Sequence, residues 1–159
     1  MLTHLDKDGQ PRMVDISDKA ATARSATAQA LVEFPEGTLP DDAQSEIRTK
    51  KGPVFQTAII AGTQAVKRTA DLIPFCHPLP LDGIDFSIKL RDPTCVRIEC
   101  TVKTTHKTGV EMEALTGAAT AALTIYDMCK SLSHEIVIRE ARLLEKTGGK
   151  SDYRNPGHG

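Results

Sequence analysis

The sequence predicts an α+β domain in which two helices cover one face of a four-stranded antiparallel sheet, and three features of its apolar pattern predict it. Apolar side chains alternate at a period of two near 26–34, through 84–90 and 96–102, and again after 136. A three-to-four spacing runs from 54 to about 72. A second helical stretch runs from 110 to about 132, between the last two alternating regions. With 159 residues the chain suits a single domain, 1–159, and is too short for two comfortable ones.

The first twenty or so residues are polar and without a period, so an arm over about 1–20 is expected, ordered only by contact with something else. After it, Ala26, Ala28, Ala30, Val32 and Phe34 alternate with Thr27, Gln29, Leu31 and Glu33, as in a strand with one buried face. Pro35, Gly37 and Pro40 end that strand. A polar stretch leads to Lys50, Lys51 and Gly52, and Pro53 suits a helix's first turn, where a missing N–H costs nothing. Val54, Ala58, Ala61, Gly62, Ala65 and Thr69 then line one face of an amphipathic helix, which Pro74 stops. Prolines at 74, 78 and 80 make IPFCHPLPL a stiff loop.

Ile84, Phe86, Ile88 and Leu90, then Val96, Ile98, Cys100 and Val102 after RDPT, form a β-hairpin. Gly109 closes a polar loop, and the long helix that follows carries small or apolar residues almost all round its middle, which predicts that it is buried. Ile136, Ile138, Leu143 and Leu144 mark a last strand before the glycine-rich TGGKS, with a mobile tail over about 147–159. The order β-α-β-β-α-β is the split, ferredoxin-like arrangement.

Composition removes several function classes. Lys and Arg number 20 against 21 Asp and Glu, so no overall field draws the protein onto nucleic acid or an anionic membrane. Aromatic residues make up 4% and Trp is absent, leaving few platforms for stacked bases. No apolar run approaches the roughly 20 residues that span a bilayer, and MLTHLDKDGQ lacks the blocks of a signal peptide. Cys76, Cys95, Cys100 and Cys129 include no CxxC pair, so free thiols in a reducing cytoplasm are expected.

Charged residues on the second helix carry the first chemical signal. At about 100° per residue Glu113, Asp127 and Lys130 share one face, yet Glu113 and Asp127 lie about 21 Å apart along the axis. One small-molecule site would therefore need two subunits, with antiparallel copies of the helix bringing Glu113 of one chain to Asp127 and Lys130 of another. Gly117, Ala118, Ala121 and Ala122 would permit such close packing. The same spacing also fits a surface Asp–Lys pair, and Glu111 and Glu113 also fit the ordinary preference for acids in a first helical turn. Cys76 and His77 have no partner pair at a zinc spacing, which leaves a loop presenting His77 and backbone N–H groups to a phosphate or heterocycle, or a plain structural turn. Lys50 and Lys51, and KTGGK with Lys146 and Lys150, fit either solvated loops or segments that close over an anion.

Four motifs are more specific: LIPFCHPLPL (72–81), KTGVEMEALT (107–116), AALTIYDMCK (121–130) and RLLEKTGGKS (142–151). With LTH at the start, MVDIS at 13–17 and KRTADLIP at 67–74, the chain resembles the cyclic pyranopterin monophosphate synthases, the molybdenum cofactor biosynthesis protein C family, over nearly its whole length. The resemblance implies a homohexamer, a trimer of dimers with active sites between subunits. It also implies conversion of 3′,8-cyclo-7,8-dihydroguanosine 5′-triphosphate to cyclic pyranopterin monophosphate with loss of pyrophosphate. Asp127 matches the catalytic aspartate, and Lys130 and Lys51 match two lysines of the acid and base steps. Phe75, Cys76 and His77 match one substrate-contacting segment and Met112 and Glu113 a second, while Asp15, Arg24, Lys146 and Lys150 look similar to phosphate or loop contacts. No cofactor or metal held by the protein is implied, with Mg2+ on the substrate phosphates left open. The competing reading is a non-catalytic ferredoxin-like module that binds a nucleotide or pterin.

Overall fold

The computed structural model describes residues 4–157; Leu2 and Thr3 of the LTH motif and the last two residues of the tail lie outside them. The elements are β1 (Thr22–Glu33), β2 (Arg48–Thr49), β3 (Gly52–Pro53), α1 (Val54–Lys67), α2 (Thr69–Leu72), β4 (Gly83–Asp92), β5 (Cys95–His106), α3 (Glu111–Cys129), β6 (Val137–Thr147) and β7 (Tyr153–Arg154). The main sheet is antiparallel throughout, in the order β4-β5-β1-β6-β7. It therefore has five strands rather than the expected four. The extra one comes from the tail, where Tyr153 and Arg154 pair with Lys146 and Glu145. A two-residue strand is too short to show a period, so the sequence carries no signal for it.

Alternation along β1 turns Ala26, Ala28, Ala30 and Val32 to the core, where they meet Val96, Ile98, Cys100 and Val102 of β5 and Ala114, Ala118, Ala121, Ala122 and Ile125 of α3. The alanines that weaken strand propensity are what let α3 lie close on the sheet. The two long helices meet at a pair of glycines that leave no room for a side chain. A Cβ on Gly62 would fall 3.0 Å from the Gly117 carbonyl oxygen, and one on Gly117 would fall 2.5 Å from Val66 and 2.8 Å from the Cys100 sulfur.

Three expectations need correction in detail. The first predicted helix breaks at Arg68 (φ −108°, ψ 12°), and Thr69 resumes it as the short α2 with its hydroxyl donating to the Ala65 and Val66 carbonyls. The long helix ends at Cys129 and is buried on one side only: Leu123 is 60% exposed, as is Ile60 on α1. Two helices on one sheet have no further layer to cover their outer faces. In β6 the apolar phase slips between Ile138 and Leu143, because bulges shift its register against β1 and Glu140 sits at φ 54°. Both side chains thereby pack against the core.

Candidate active site

Two groups of functional side chains form at opposite ends of α3. At the C-terminal end, Asp127 sits between two lysines. The Lys130 ammonium donates to Asp127 Oδ1 at 2.7 Å, and the Lys51 ammonium donates to Oδ2 at 3.1 Å and to the Asp127 main-chain carbonyl at 3.2 Å. Lys130 arrives by helical spacing alone. Lys51 arrives because β2 and β3 pair Arg48 with Pro53 and Thr49 with Gly52, forming a tight hairpin whose tip holds Lys50 and Lys51. Gly52 at φ 113° makes that turn possible.

Hydrogen bonds from Lys130 and then Lys51, reinforced by their charges, hold the Asp127 carboxyl below the usual aspartate range. The reciprocal bond to Asp127 raises Lys130 above the ordinary lysine value. All three side chains are about half exposed on a cleft of about 810 Å³ that Arg48, Lys50 and His134 also line. The group is thus an anion set among several cations and open to a ligand.

At the N-terminal end, a cleft of about 640 Å³ is walled by Phe75, Cys76 and His77 on one side and Met112 and Glu113 on the other. The proline-rich loop is fastened behind them: Cys76 N–H donates to the Ile73 carbonyl at 3.1 Å, and the Thr104 hydroxyl donates to the Pro80 carbonyl at 2.6 Å. Glu113 is 5% exposed. Burial pushes its carboxyl up to about 7, with the like charge of Glu111 adding to the effect. The Cys76 thiol is also raised, first by burial and then by Glu113 and Glu111. This end therefore offers a protonatable acid in apolar surroundings, suited to hydrogen bonding with a heterocycle.

The remaining predicted residues are not all brought to these clefts. Lys146 pairs with Glu111 at 3.3 Å, on the rim of the N-terminal cleft. Arg24 donates to the His106 and Lys107 carbonyls at 3.1 and 3.3 Å, fixing the loop that enters α3 rather than lining a cleft. The Asp15 carboxylate accepts bonds from the Ser17 hydroxyl and N–H, which lower its pKa, and His77 is close enough to add to the lowering. Lys150 is exposed and lines neither cleft. Sequence reasoning passed over Arg48 and His134 at one end and His4 and Lys19 at the other. They are single polar residues with no spacing that marks them. Among the described residues no group of three or more His, Cys, Asp and Glu is placed to hold a metal ion, and no helix is long and apolar enough to cross a membrane.

Comparison with known proteins gives this geometry a family. The sequence model of the MoaC family matches residues 13–149. Over 151 residues the chain is 57% identical to the cyclic pyranopterin monophosphate synthase of Xanthomonas campestris pv. campestris (strain B100), covering 95% of this chain and 92% of that one. The enzyme of the same name from Desulfitobacterium hafniense is 49% identical over 152 residues, 96% of this chain and 92% of its own. A molybdenum cofactor biosynthesis bifunctional protein of Synechocystis is 58% identical over 156 residues, which cover 96% of this chain but 45% of that longer one. The match takes in both ends of α3, the proline-rich loop and the lysine hairpin, and the chain belongs to the MoaC family.

Proposed function

We propose that the chain is a cyclic pyranopterin monophosphate synthase acting early in molybdenum cofactor biosynthesis. In this reading it converts 3′,8-cyclo-7,8-dihydroguanosine 5′-triphosphate to cyclic pyranopterin monophosphate and pyrophosphate. The observation that carries the reading is Asp127 held between the Lys51 and Lys130 ammonium groups. Closing the cyclic phosphate requires a sugar hydroxyl to attack the α-phosphorus and lose its proton while the bond to the departing pyrophosphate breaks. Lys130, an ammonium oriented by its bond to Asp127, stabilises charge on the leaving group. Asp127 spends one lone-pair position per oxygen on the lysines and retains capacity to accept from a substrate hydroxyl. Lys51, at the tip of its hairpin, exchanges its partner for the substrate and takes part in proton transfer.

Phe75, Cys76, His77, Met112 and Glu113 bind the heterocycle in the same reading, and Lys146 and Lys150 close on the phosphates. Because about 21 Å of helix separates Glu113 from Asp127, a complete site joins the N-terminal end of α3 in one subunit to the C-terminal end in another. The family resemblance further implies a homohexamer, a trimer of dimers, working in the cytoplasm, with any Mg2+ arriving on the substrate rather than held as a cofactor.

Incubating the protein with the cyclised dihydro-GTP and measuring pyrophosphate and pterin product tests the reading. Stoichiometric release of both is expected. Binding without turnover would instead identify a non-catalytic ligand-binding module.

A further inference from the structure

The Lys51 hairpin is fastened by a residue that lies outside both clefts. Helix α1 starts at Val54 behind Pro53, which offers no capping side chain, and its first turn contains no acidic residue. The first N–H groups of a helix need acceptors, and its positive end favours a negative charge. Glu46 supplies both from outside the helix. Its Oε1 accepts from the Phe55 N–H at 2.6 Å and its Oε2 from the Gln56 N–H at 3.2 Å. The same Oε1 accepts from the Ile47 N–H at 2.8 Å, and the Val54 N–H donates to the Ile47 carbonyl at 2.8 Å.

These bonds close the neck of the excursion over 48–53. Ile47, 1% exposed, anchors one side of the neck in the core, and α1 anchors the other. Beyond the neck the tip is held by the Arg48–Pro53 and Thr49–Gly52 pairs, by a 3.2 Å bond from the Lys51 N–H to the Thr49 hydroxyl, and by the Lys51 ammonium itself on Asp127. The Glu46 carboxylate thus joins the Val54–Ile47 backbone bond and the buried Ile47 in fixing where the hairpin meets the helix, and Lys51 reaches Asp127 from that point.

We propose that Glu46 is a positioning residue for Lys51: by tying the Ile47, Phe55 and Gln56 amides together it sets the direction of the hairpin and holds the lysine ammonium on Asp127. For its activity readout this rests on the synthase reading. A cap that only stabilised α1 would leave the rate at Lys51 untouched in folded protein.

The test is a double-variant cycle. Wild type, Glu46→Ala, Lys51→Ala and the double variant are assayed for pterin product at a temperature where circular dichroism shows each one folded. Glu46→Ala is expected to lower kcat by about 10²-fold with KM changed by less than about threefold, the scale expected for displacing a reacting group by about 1 Å. On the Lys51→Ala background the same replacement should lower kcat by less than about threefold, since the group being positioned is gone. Glu46→Gln, which keeps one acceptor oxygen, should fall between, and it carries the comparison if Glu46→Ala does not fold. Equal losses on both backgrounds, or unchanged kcat in folded Glu46→Ala or, in its place, Glu46→Gln, would overturn the proposal.

A second arm needs no turnover. Tryptic cleavage of the folded protein after Lys50 or Lys51 should speed up about tenfold in the Glu46 variant while cleavage after Lys67 stays constant, because only the hairpin has gained local freedom. Unchanged cleavage at the hairpin overturns the proposal as well. A wild-type protein that makes no pterin product defeats the synthase reading instead, and the cleavage arm still decides the role of Glu46.

Discussion

Lys51 and Asp127, 76 positions apart in sequence, meet through two contacts: the lysine ammonium lies 3.1 Å from a carboxylate oxygen and 3.2 Å from the main-chain carbonyl of the same residue. The second contact fixes the lysine against the end of α3 as well as against a side chain that can turn. Lys130 occupies the other carboxylate oxygen, so the aspartate is oriented from both sides.

Replacing Asp127 with Asn should leave thermal unfolding nearly unchanged, because its side chain is exposed and its pairs with Lys51 and Lys130 are surface pairs of small net worth. Product formation should fall by about 10³-fold or more, since the amide neither accepts a proton nor holds the Lys51 and Lys130 ammonium groups by its charge. Pyrophosphate release measured beside an unfolding curve checks both halves. Full activity would remove Asp127 from the mechanism.

Glu113 makes stability depend on pH with a definite sign. Burial raises its carboxyl from the ordinary 4.5 to about 7, so between those values the folded protein holds a proton that the unfolded chain has lost. Its contribution is complete below about 4.5, declines as pH rises, and is gone above about 7. Glu113→Gln should abolish that decline and unfold at a higher temperature than wild type at pH 8, with a reduced advantage at pH 5. A tenfold change in proton affinity corresponds to about 1.4 kcal/mol, so the contrast should amount to a few kcal/mol at most. Thermal unfolding of both proteins across this range is the check.

Gly148→Ala should unfasten the tail. Gly148 lies at φ 87°, and a Cβ there would overlap the Ala23 carbonyl oxygen, a backbone atom that cannot step aside cheaply. Its N–H donates to Asp152 Oδ1 at 3.1 Å, and the Thr22 hydroxyl donates to its carbonyl at 2.8 Å. A loss of about 1–3 kcal/mol is expected, with faster hydrogen exchange where β7 pairs with Lys146 and Glu145. Unfolding and exchange indistinguishable from wild type would contradict this account of the turn.

Much of the fold was legible because its apolar period is long and regular. Twelve-residue β1 and β5 and nineteen-residue α3 each repeat their pattern several times. β2, β3 and β7 are two-residue strands, where no period exists to be read. Arg68 interrupts the first helix without a Gly or Pro to announce it. At the site, Asp127 and Lys130 were readable from a spacing of three. The meeting of Lys51 with Asp127 depends on chain folding that no local pattern encodes, and only the motif resemblance indicated it. Glu46 carries no local signal because it caps from eight residues before the start of α1, whereas capping residues are sought next to the helix they serve.

The central claim is that one working site takes its ends of α3 from two chains, and subunit mixing tests it most directly. Asp127→Asn and His77→Ala chains, each expected to be strongly impaired alone, are unfolded together in equal amounts, refolded and assayed for pterin product. If one chain supplies Asp127 and its neighbour supplies His77, about one quarter of the sites in randomly mixed assemblies contain both intact residues, and activity should return to about that fraction of wild type. Mixed assemblies that form and remain as inactive as either parent would show that each chain uses its own two residues, and would contradict the account.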